Sequence, residues 1–123
     1  MSWKNEFLVD ERVLEIKFGI DFQPEELPDL LNEVKAQLAE NQSLWVLADC
    51  SRLEKSSSLF KIYDFPKLYA AKGINRRTKE AVILPIVPKV REALIFYETV
   101  CRNLGLYVKA FDNRQDALEW LHQ

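Results

Sequence analysis

The chain has 123 residues, of which 48% are hydrophobic and 29% are charged, and its formal net charge is −2. This length and apolar content suit one hydrophobic core, so a single domain over residues 1–123 is expected. Because the two signs of charge are interspersed, the chain lacks the basic surface that attracts a polyanion, which argues against nucleic acid as a partner.

The distribution of apolar residues and cysteines bears on the location of the protein. No apolar run approaches the roughly 20 residues that cross a bilayer, and the first residues lack the apolar segment of a signal peptide. Cys50 and Cys101 lie apart inside apolar segments. This placement favours reduced core thiols over a disulfide or a zinc site, and a reducing cytoplasm is the expected compartment.

The amino-terminal segment predicts a β-hairpin. Residues 13–20 alternate between apolar and mostly polar positions, which is typical of a strand with one face in water. Residues 3–9 form a weaker strand pattern, and the polar residues 10–12 between the two are short enough for a hairpin connection. The hairpin is expected to form one edge of a sheet.

A helix is predicted to begin at Pro24, because proline is tolerated in the first turn and the carboxylates of Glu25 and Glu26 favour the positive end of the helix dipole. The helix should run to about Asn41. Its buried face is given by five apolar residues at helical spacing, namely Leu27, Leu30, Leu31, Val34 and Leu38.

The central segment contains two strands that are apolar throughout, residues 44–48 and 81–84, and such strands are covered on both faces. Between them, residues 59–72 have a helical pattern that Pro66 interrupts. Proline breaks or kinks a helix, so two short helices joined near Asp64 and one continuous helix are both consistent with this pattern.

The carboxyl-terminal part predicts a long helix, a strand and a short helix. The long helix begins at Pro88 and ends at Gly105, and the strand covers residues 106–111. Asp112 and Gln115 have the spacing of a capping box for the last helix. That helix should bury Ala117, Leu118 and Leu121.

The predicted order of elements is therefore ββαβαβαβα. Strands that alternate with helices pair mostly in parallel, since right-handed crossovers place helices on the faces of the sheet, and the first hairpin adds an antiparallel strand. The expected fold class is α/β, with a mixed, mostly parallel sheet and flanking helices.

With this order the chain resembles the STAS superfamily, and within it the SpoIIAA-like, or STAS/SEC14-like, small bacterial proteins related to anti-sigma-factor antagonists. The resemblance covers most of the chain, and none of its motifs is catalytic. It is carried by four segments, residues 46–49 (VLAD), 63–69 (YDFPKLY), 96–105 (FYETVCRNLG) and 111–121, the last of which contains ALEWL.

The resemblance implies a regulatory protein-interaction module that is not an enzyme. In the antagonist members, a serine after the third strand is phosphorylated by a partner kinase and controls partner binding. The equivalent place here contains Ser56, Ser57 and Ser58, with Asp49 before them, although the acidic residue and the glycine that flank the family's serine are absent. A helix start favours a phosphate, and Ser57 is the candidate switch residue. The alternative role of these serines is to cap the following helix.

Enzyme chemistry finds little support in the sequence. Cys50 could act as a nucleophile only with His122, the one histidine, which lies near the end of the chain where fraying is expected. Asp49 and Glu54 lack further ligands at metal spacing, so no metal or cofactor is predicted, and Asp49 is expected to tie a loop. Cys50 is expected to be a core thiol.

Two functions from different classes remain. The first is a protein-interaction module whose partner surface lies around the serine cluster and the following helix. The second is a carrier or sensor of an apolar small molecule or lipid, held between residues 59–72 and the sheet, as the SEC14-like side of the resemblance implies. The exposed amino-terminal edge strand also leaves a homodimer open. The residues of the apolar pocket would be Trp45, Phe60, Tyr63 and Tyr69.

Overall fold

The structure is a computed structural model that describes residues 2–55 and 60–123, without the side chains of residues 60–65. Within these residues the order of elements is the predicted one, with a short 3-10 turn at Pro24–Glu26 before the first helix. The strands are β1 (Trp3–Leu8), β2 (Val13–Phe18), β3 (Trp45–Asp49), β4 (Lys79–Ile83) and β5 (Tyr107–Phe111); the α-helices are α1 (Leu27–Glu40), α2 (Phe60–Ala71), α3 (Pro88–Asn103) and α4 (Arg114–Leu121).

The strands form a sheet in the order β1-β2-β3-β4-β5. β1 is antiparallel to β2 and the other neighbours are parallel, which confirms the mixed sheet and the edge position of the first hairpin. Because the successive right-handed crossovers all advance in the same direction across the sheet, α1, α2 and α3 lie on one face. α4 covers the other face, where Ala117 and Leu121 pack against Leu47 and Ala81.

The first face of the sheet carries the larger core. All five apolar residues predicted for the buried face of the first helix are buried in α1, against β2 and β3. Full burial of a side chain of this kind contributes about 1.5–3 kcal/mol, so this stripe is a large part of the stability of the domain. β3 is covered on both faces, as its uniformly apolar sequence predicts.

The expectation of a water-exposed face on β2 is wrong for two of its residues. Val13 and Glu15 are 0% and 3% exposed, because α4 covers this side of the sheet. Val13 packs with Ala117, and Arg114 at the start of α4 donates a hydrogen bond to the carboxylate of Glu15. Lys17, farther along the strand, remains exposed.

The structure selects one of the two alternatives for the segment around Pro66, and it moves the predicted cap of the last helix. α2 continues through Pro66 as one helix, so the proline removes one hydrogen-bond donor without ending the element. The cap of α4 is Asn113, whose side chain accepts a hydrogen bond from the amide of Asp116 at 2.9 Å, and not Asp112 as the capping-box pattern indicated. Leu118, predicted to be buried, is only partly covered.

Candidate functional site

The carboxyl ends of β2, β3 and β4 lie at the same edge of the sheet because these strands are parallel. We call the surface formed there by Ile20, Asp49, Arg52 and Ile86 the carboxyl edge. Such an edge is where open α/β sheets commonly place their binding residues, since the loops that leave it converge. The predicted serine cluster follows this edge in the chain.

The loop after β3 is tied down by hydrogen bonds. The carboxylate of Asp49 accepts a hydrogen bond from the amide of Ser51 at 3.0 Å, and the amide of Leu53 bonds to the carbonyl of Cys50 at 3.0 Å. The amides of Glu54 and Lys55 both bond to the carbonyl of Ile20, at 3.0 and 3.1 Å. Asp49 therefore ties the loop, as the sequence predicts, and the chain enters the serine cluster from a fixed position.

Ser56, Ser57 and Ser58 themselves lie outside the described residues. Their role as a switch or as a helix cap stays a prediction from the sequence.

The loop after β4 presents an apolar side chain to solvent. Ile86 is 89% exposed, the largest exposed fraction among the large apolar residues in the described part of the chain. Pro85 before it is fully buried, and Pro88 begins α3. The amide of Leu84 bonds to the carbonyl of Phe111 at 2.9 Å, so the base of this loop is anchored to β5.

No sequence pattern identified Ile86. This apolar residue lies between two prolines, outside the periodicity of any helix or strand.

A charged groove of about 640 Å³ lies beside the carboxyl edge, on the α4 face of the sheet, above β1 and β2. α4 covers the start of β2 at Val13, but its main contacts are with β3, β4 and β5, so β1 and the end of β2 stay open on this face. Charges of both signs line the groove, from Lys4, Glu6, Glu15, Lys17, Asp49 and Arg52.

The groove contains a buried carboxylate. Glu15 is held by Arg114 and by Lys17, whose amino group lies 3.8 Å from the carboxylate. The balance of charge does not suit an apolar ligand, and the groove lies on the opposite face of the sheet from α2.

The four aromatic residues of the predicted apolar pocket do not all come together. The ring of Trp45 lies 5.1 Å from the ring of His122, on the α4 face of the sheet. Tyr69 is buried in the core on the other face, so the sheet separates it from Trp45. The side chains of Phe60 and Tyr63 lie outside the described part of the structure. The carrier function stays a prediction. Trp45 and Tyr69 cannot line the same pocket, because the sheet lies between them.

His122 is held in place, against the expectation of a frayed end. Its Nε2 lies 2.8 Å from the carbonyl oxygen of Glu11. His122 is thus near the start of β3, whereas Cys50 follows the end of β3, so the structure does not pair these two residues.

A buried polar cluster, which no sequence pattern predicted, lies between β4 and α3. The hydroxyl of Tyr97 donates a hydrogen bond to the carboxylate of Glu80 at 2.5 Å, with both residues buried. Burial raises the pKa of Glu80 to about 7, although the hydrogen bond from Tyr97 lowers it. The alternation of residues along β4 could have placed Glu80 on the α3 face, but no pattern identified Tyr97 as its partner.

The two cysteines are free and buried, as predicted. Burial and the nearby carboxylate of Glu80 raise the pKa of Cys101 to about 12 and that of Cys50 well above its usual range. A thiol acts as a nucleophile in its ionised form, so both are poor candidates for catalysis.

Neither a metal-binding cluster nor a membrane-spanning helix is found among the described residues. Within residues 2–55 and 60–123, no group of three His, Cys, Asp or Glu residues could hold a metal ion. No helix among these residues has the length and apolar character to cross a membrane.

No protein-family model matches the chain, and no curated protein matches it significantly. Among solved structures, the chain is similar to a protein from Thermotoga maritima that is provisionally assigned as an anti-sigma factor antagonist. The crystal structure of that protein has 17% sequence identity and a TM-score of 0.61, over 98% of this chain and 95% of that chain. An NMR structure of the Thermotoga protein gives a TM-score of 0.61 at 17% identity, over 97% and 87% of the two chains.

An uncharacterised protein from Shewanella loihica PV-4 with a SpoIIAA-like fold is 22% identical to this chain, with a TM-score of 0.60. The match covers 97% of this chain and 91% of that chain. The chain therefore has a SpoIIAA-like fold, as its sequence resemblance implied.

Proposed function

We propose that this domain is a non-enzymatic regulatory module that binds a protein partner through its carboxyl edge. The observation that carries the proposal is the exposure of Ile86 on a restricted loop at this edge. The provisional assignment of the Thermotoga neighbour as an anti-sigma factor antagonist supports a regulatory role of the same kind.

The loop around Ile86 is suited to binding. A single exposed isoleucine is ordinary on a protein surface. Ile86 differs because Pro85 before it and Pro88 after it fix backbone angles, so the loop loses little conformational entropy when a partner binds. Ile20 adds a second partly exposed apolar side chain, at 45%, on the same edge. Apolar anchors beside the charged residues Asp49 and Arg52 resemble the centre and rim of a protein interface.

The serine cluster gives this surface a proposed switch. It follows Lys55, whose amide is tied to the carbonyl of Ile20 on the carboxyl edge. A phosphate on Ser57 would add a charge of about −1.5 to −2 next to an interface with an apolar centre. Such a charge would weaken the binding of a partner that buries Ile86, or strengthen the binding of a partner that places arginine beside the phosphate.

Site-specific photocrosslinking in cells of the source organism tests the proposal, with a benzophenone amino acid at position 86 and, as control, at position 9. Val9 is 72% exposed but lies in the β1–β2 turn, at the end of the strands opposite to the carboxyl edge. A discrete protein adduct is expected from position 86 and not from position 9.

The purified partner then allows a matched affinity measurement. Ile86→Ser should weaken binding about tenfold or more, because the full burial of an isoleucine side chain contributes about 1.5–3 kcal/mol. Val9→Ser should leave the affinity unchanged. Equal affinities for the wild type and Ile86→Ser would contradict the assignment of the interface.

A further inference from the structure

The outer edge of the sheet is formed by β1, whose backbone has an open side. The carbonyls of Ser2 and Leu8 bond toward β2, to the amides of Gly19 and Arg12 at 2.7 and 2.8 Å. Because successive residues of a strand point in alternate directions, Trp3, Asn5 and Phe7 direct their amides and carbonyls away from β2. Within residues 2–55 and 60–123, no strand pairs with this side of β1.

The charges on β1 are poorly matched within the chain. In the β1–β2 register, Lys4 is directly opposite Lys17, and Glu6 is directly opposite Glu15. Like charges at directly opposite positions destabilise a pair of strands. Glu15 is compensated by Arg114 and Lys17, whereas neither Lys4 nor Glu6 forms a salt bridge among the described residues.

We infer that β1 pairs with β1 of a second copy of this chain, antiparallel and centred on Asn5. In this register Lys4 faces Glu6 of the partner subunit, and Glu6 faces Lys4 of the partner subunit. Trp3 faces Phe7 of the partner subunit, which places an aromatic pair on each side of the two-fold axis. The two sheets join into one continuous sheet.

The direction of the backbone groups selects the same register as the charges. A two-fold axis at Asn5 makes Trp3, Asn5 and Phe7 the residues that exchange backbone hydrogen bonds, and these are the residues with outward groups. Lys4 and Glu6 then occupy non-hydrogen-bonded pairs, where opposite Cα atoms are only about 4.5 Å apart and side chains are closest.

The neighbouring registers are unfavourable. An axis at Lys4 would place it opposite Lys4 of the partner subunit, and an axis at Glu6 would oppose two carboxylates in the same way. A two-fold axis between two residues would place residues whose backbone amides and carbonyls point outward opposite residues whose backbone groups point toward β2. Charge and backbone geometry therefore both favour the register centred on Asn5.

The dimer also extends the charged groove. Lys4 and Glu6 line the groove on the α4 face. In the dimer the grooves of the two subunits meet at the two-fold axis, and the paired Lys4 and Glu6 side chains lie at their junction.

Charge reversal on β1 provides a test in which folding and dimerisation respond differently. Lys4→Glu places two carboxylates together across the dimer, but within the chain it sets the new glutamate opposite Lys17. Glu6→Lys places two amino groups together across the dimer, but within the chain it sets the new lysine opposite Glu15. At concentrations low enough for all proteins to be monomeric, each single variant should therefore keep or raise its thermal unfolding temperature. Its dimerisation should be weakened about tenfold or more.

Sedimentation velocity from about 1 μM to about 1 mM, at low salt, measures the dimer. The wild type should dimerise, and both single variants should shift toward monomer. The double variant Lys4→Glu/Glu6→Lys should recover the dimer, because it restores opposite charges in the same register. A mixture of the two single variants should form a heterodimer, since all four charges at the interface are then matched.

Hydrogen exchange gives a second readout, with the amides of Trp3, Asn5 and Phe7 becoming protected as the wild-type concentration rises. A wild type that stays monomeric over the whole concentration range would overturn the inference. A dimer whose affinity is unchanged by both charge reversals would also overturn the inference, because its interface would lie elsewhere. The same holds if a mixture of the two single variants forms no heterodimer.

Discussion

The buried carboxyl group of Glu80 should make the stability of the domain fall as the pH rises from 5 to 8. Burial in the core raises the pKa of Glu80 from an ordinary value of 4.5 to about 7, against a lowering by the Tyr97 hydrogen bond. Below pH 4.5 the carboxyl group is protonated in both the folded and the unfolded state. Between the two pKa values the unfolded chain loses the proton and the folded protein retains it, so ionisation favours unfolding.

The size of this effect follows from the two pKa values. The difference between 4.5 and about 7 corresponds to about 3 kcal/mol of unfolding free energy, present in full below pH 4.5 and lost by the time the pH exceeds 7. Cys50, Tyr69 and Cys101, whose raised pKa values involve Glu80, remain protonated throughout this range. Glu80 is therefore the group in this cluster that titrates.

The substitution Glu80→Gln isolates this contribution. The amide cannot ionise, and its oxygen can still accept the hydrogen bond from the hydroxyl of Tyr97. The free energy of unfolding of the variant, relative to the wild type, should rise by about 2.5 kcal/mol between pH 5 and pH 8, because a part of the effect is already lost at pH 5. Urea denaturation followed by tryptophan fluorescence at several pH values measures this difference.

Glu92→Gln serves as the control, because Glu92 is an exposed glutamate on α3. Its unfolding free energy should follow that of the wild type at every pH. If the curves of Glu80→Gln and the wild type also stay parallel from pH 5 to 8, the burial of an ionisable Glu80 is refuted.

Two further stability predictions concern α4. Arg114→Met removes the guanidinium partner of the buried Glu15 and should lower the free energy of unfolding by about 1–3 kcal/mol at pH 7, because the buried carboxylate then lacks its main counter-charge. Urea denaturation measures this loss. Most of the loss should vanish when the same substitution is made in a Glu15→Gln background. Asn113→Ala removes the helix cap and should lower the free energy of unfolding by about 1 kcal/mol. Asp112→Ala removes only an exposed ion pair with Arg91 and should change the free energy of unfolding by about 0.5 kcal/mol or less. A larger loss from Asp112→Ala would contradict the position of the cap.

The sequence predicted the architecture well because its signals are local and periodic. The apolar spacing of Leu27 to Leu38 determined the buried face of α1, and the uniformly apolar β3 indicated cover on both faces. The alternation of strands with helices then predicted the mostly parallel pairing, because right-handed crossovers place the helices on the faces of the sheet.

The errors have a common physical origin in contacts between distant parts of the chain. Alternation along β2 could not reveal that α4 would cover Val13 and Glu15, because α4 begins about a hundred residues later. The sequence left one helix and two helices open at Pro66, because tertiary packing decides whether a proline ends a helix.

The candidate site was less predictable than the fold. The loop role of Asp49 followed from its position after a buried strand, and the hydrogen bond to Ser51 confirms it. Trp45 and Tyr69 were grouped by their aromatic character, but the side chains of the two residues point to opposite faces of the sheet. Ile86 has no partner in any periodic pattern, so only its exposure reveals it.

Native mass spectrometry of the protein purified from its own source, compared with its denatured mass, tests the proposed function most directly. We expect a protein partner that is bound in the native spectrum, is lost on denaturation and is missing from the Ile86→Ser variant. A phosphate increment that survives denaturation and disappears in Ser57→Ala would identify the switch. A small-molecule mass lost on denaturation, without any protein partner, would contradict the interaction module and favour the apolar carrier.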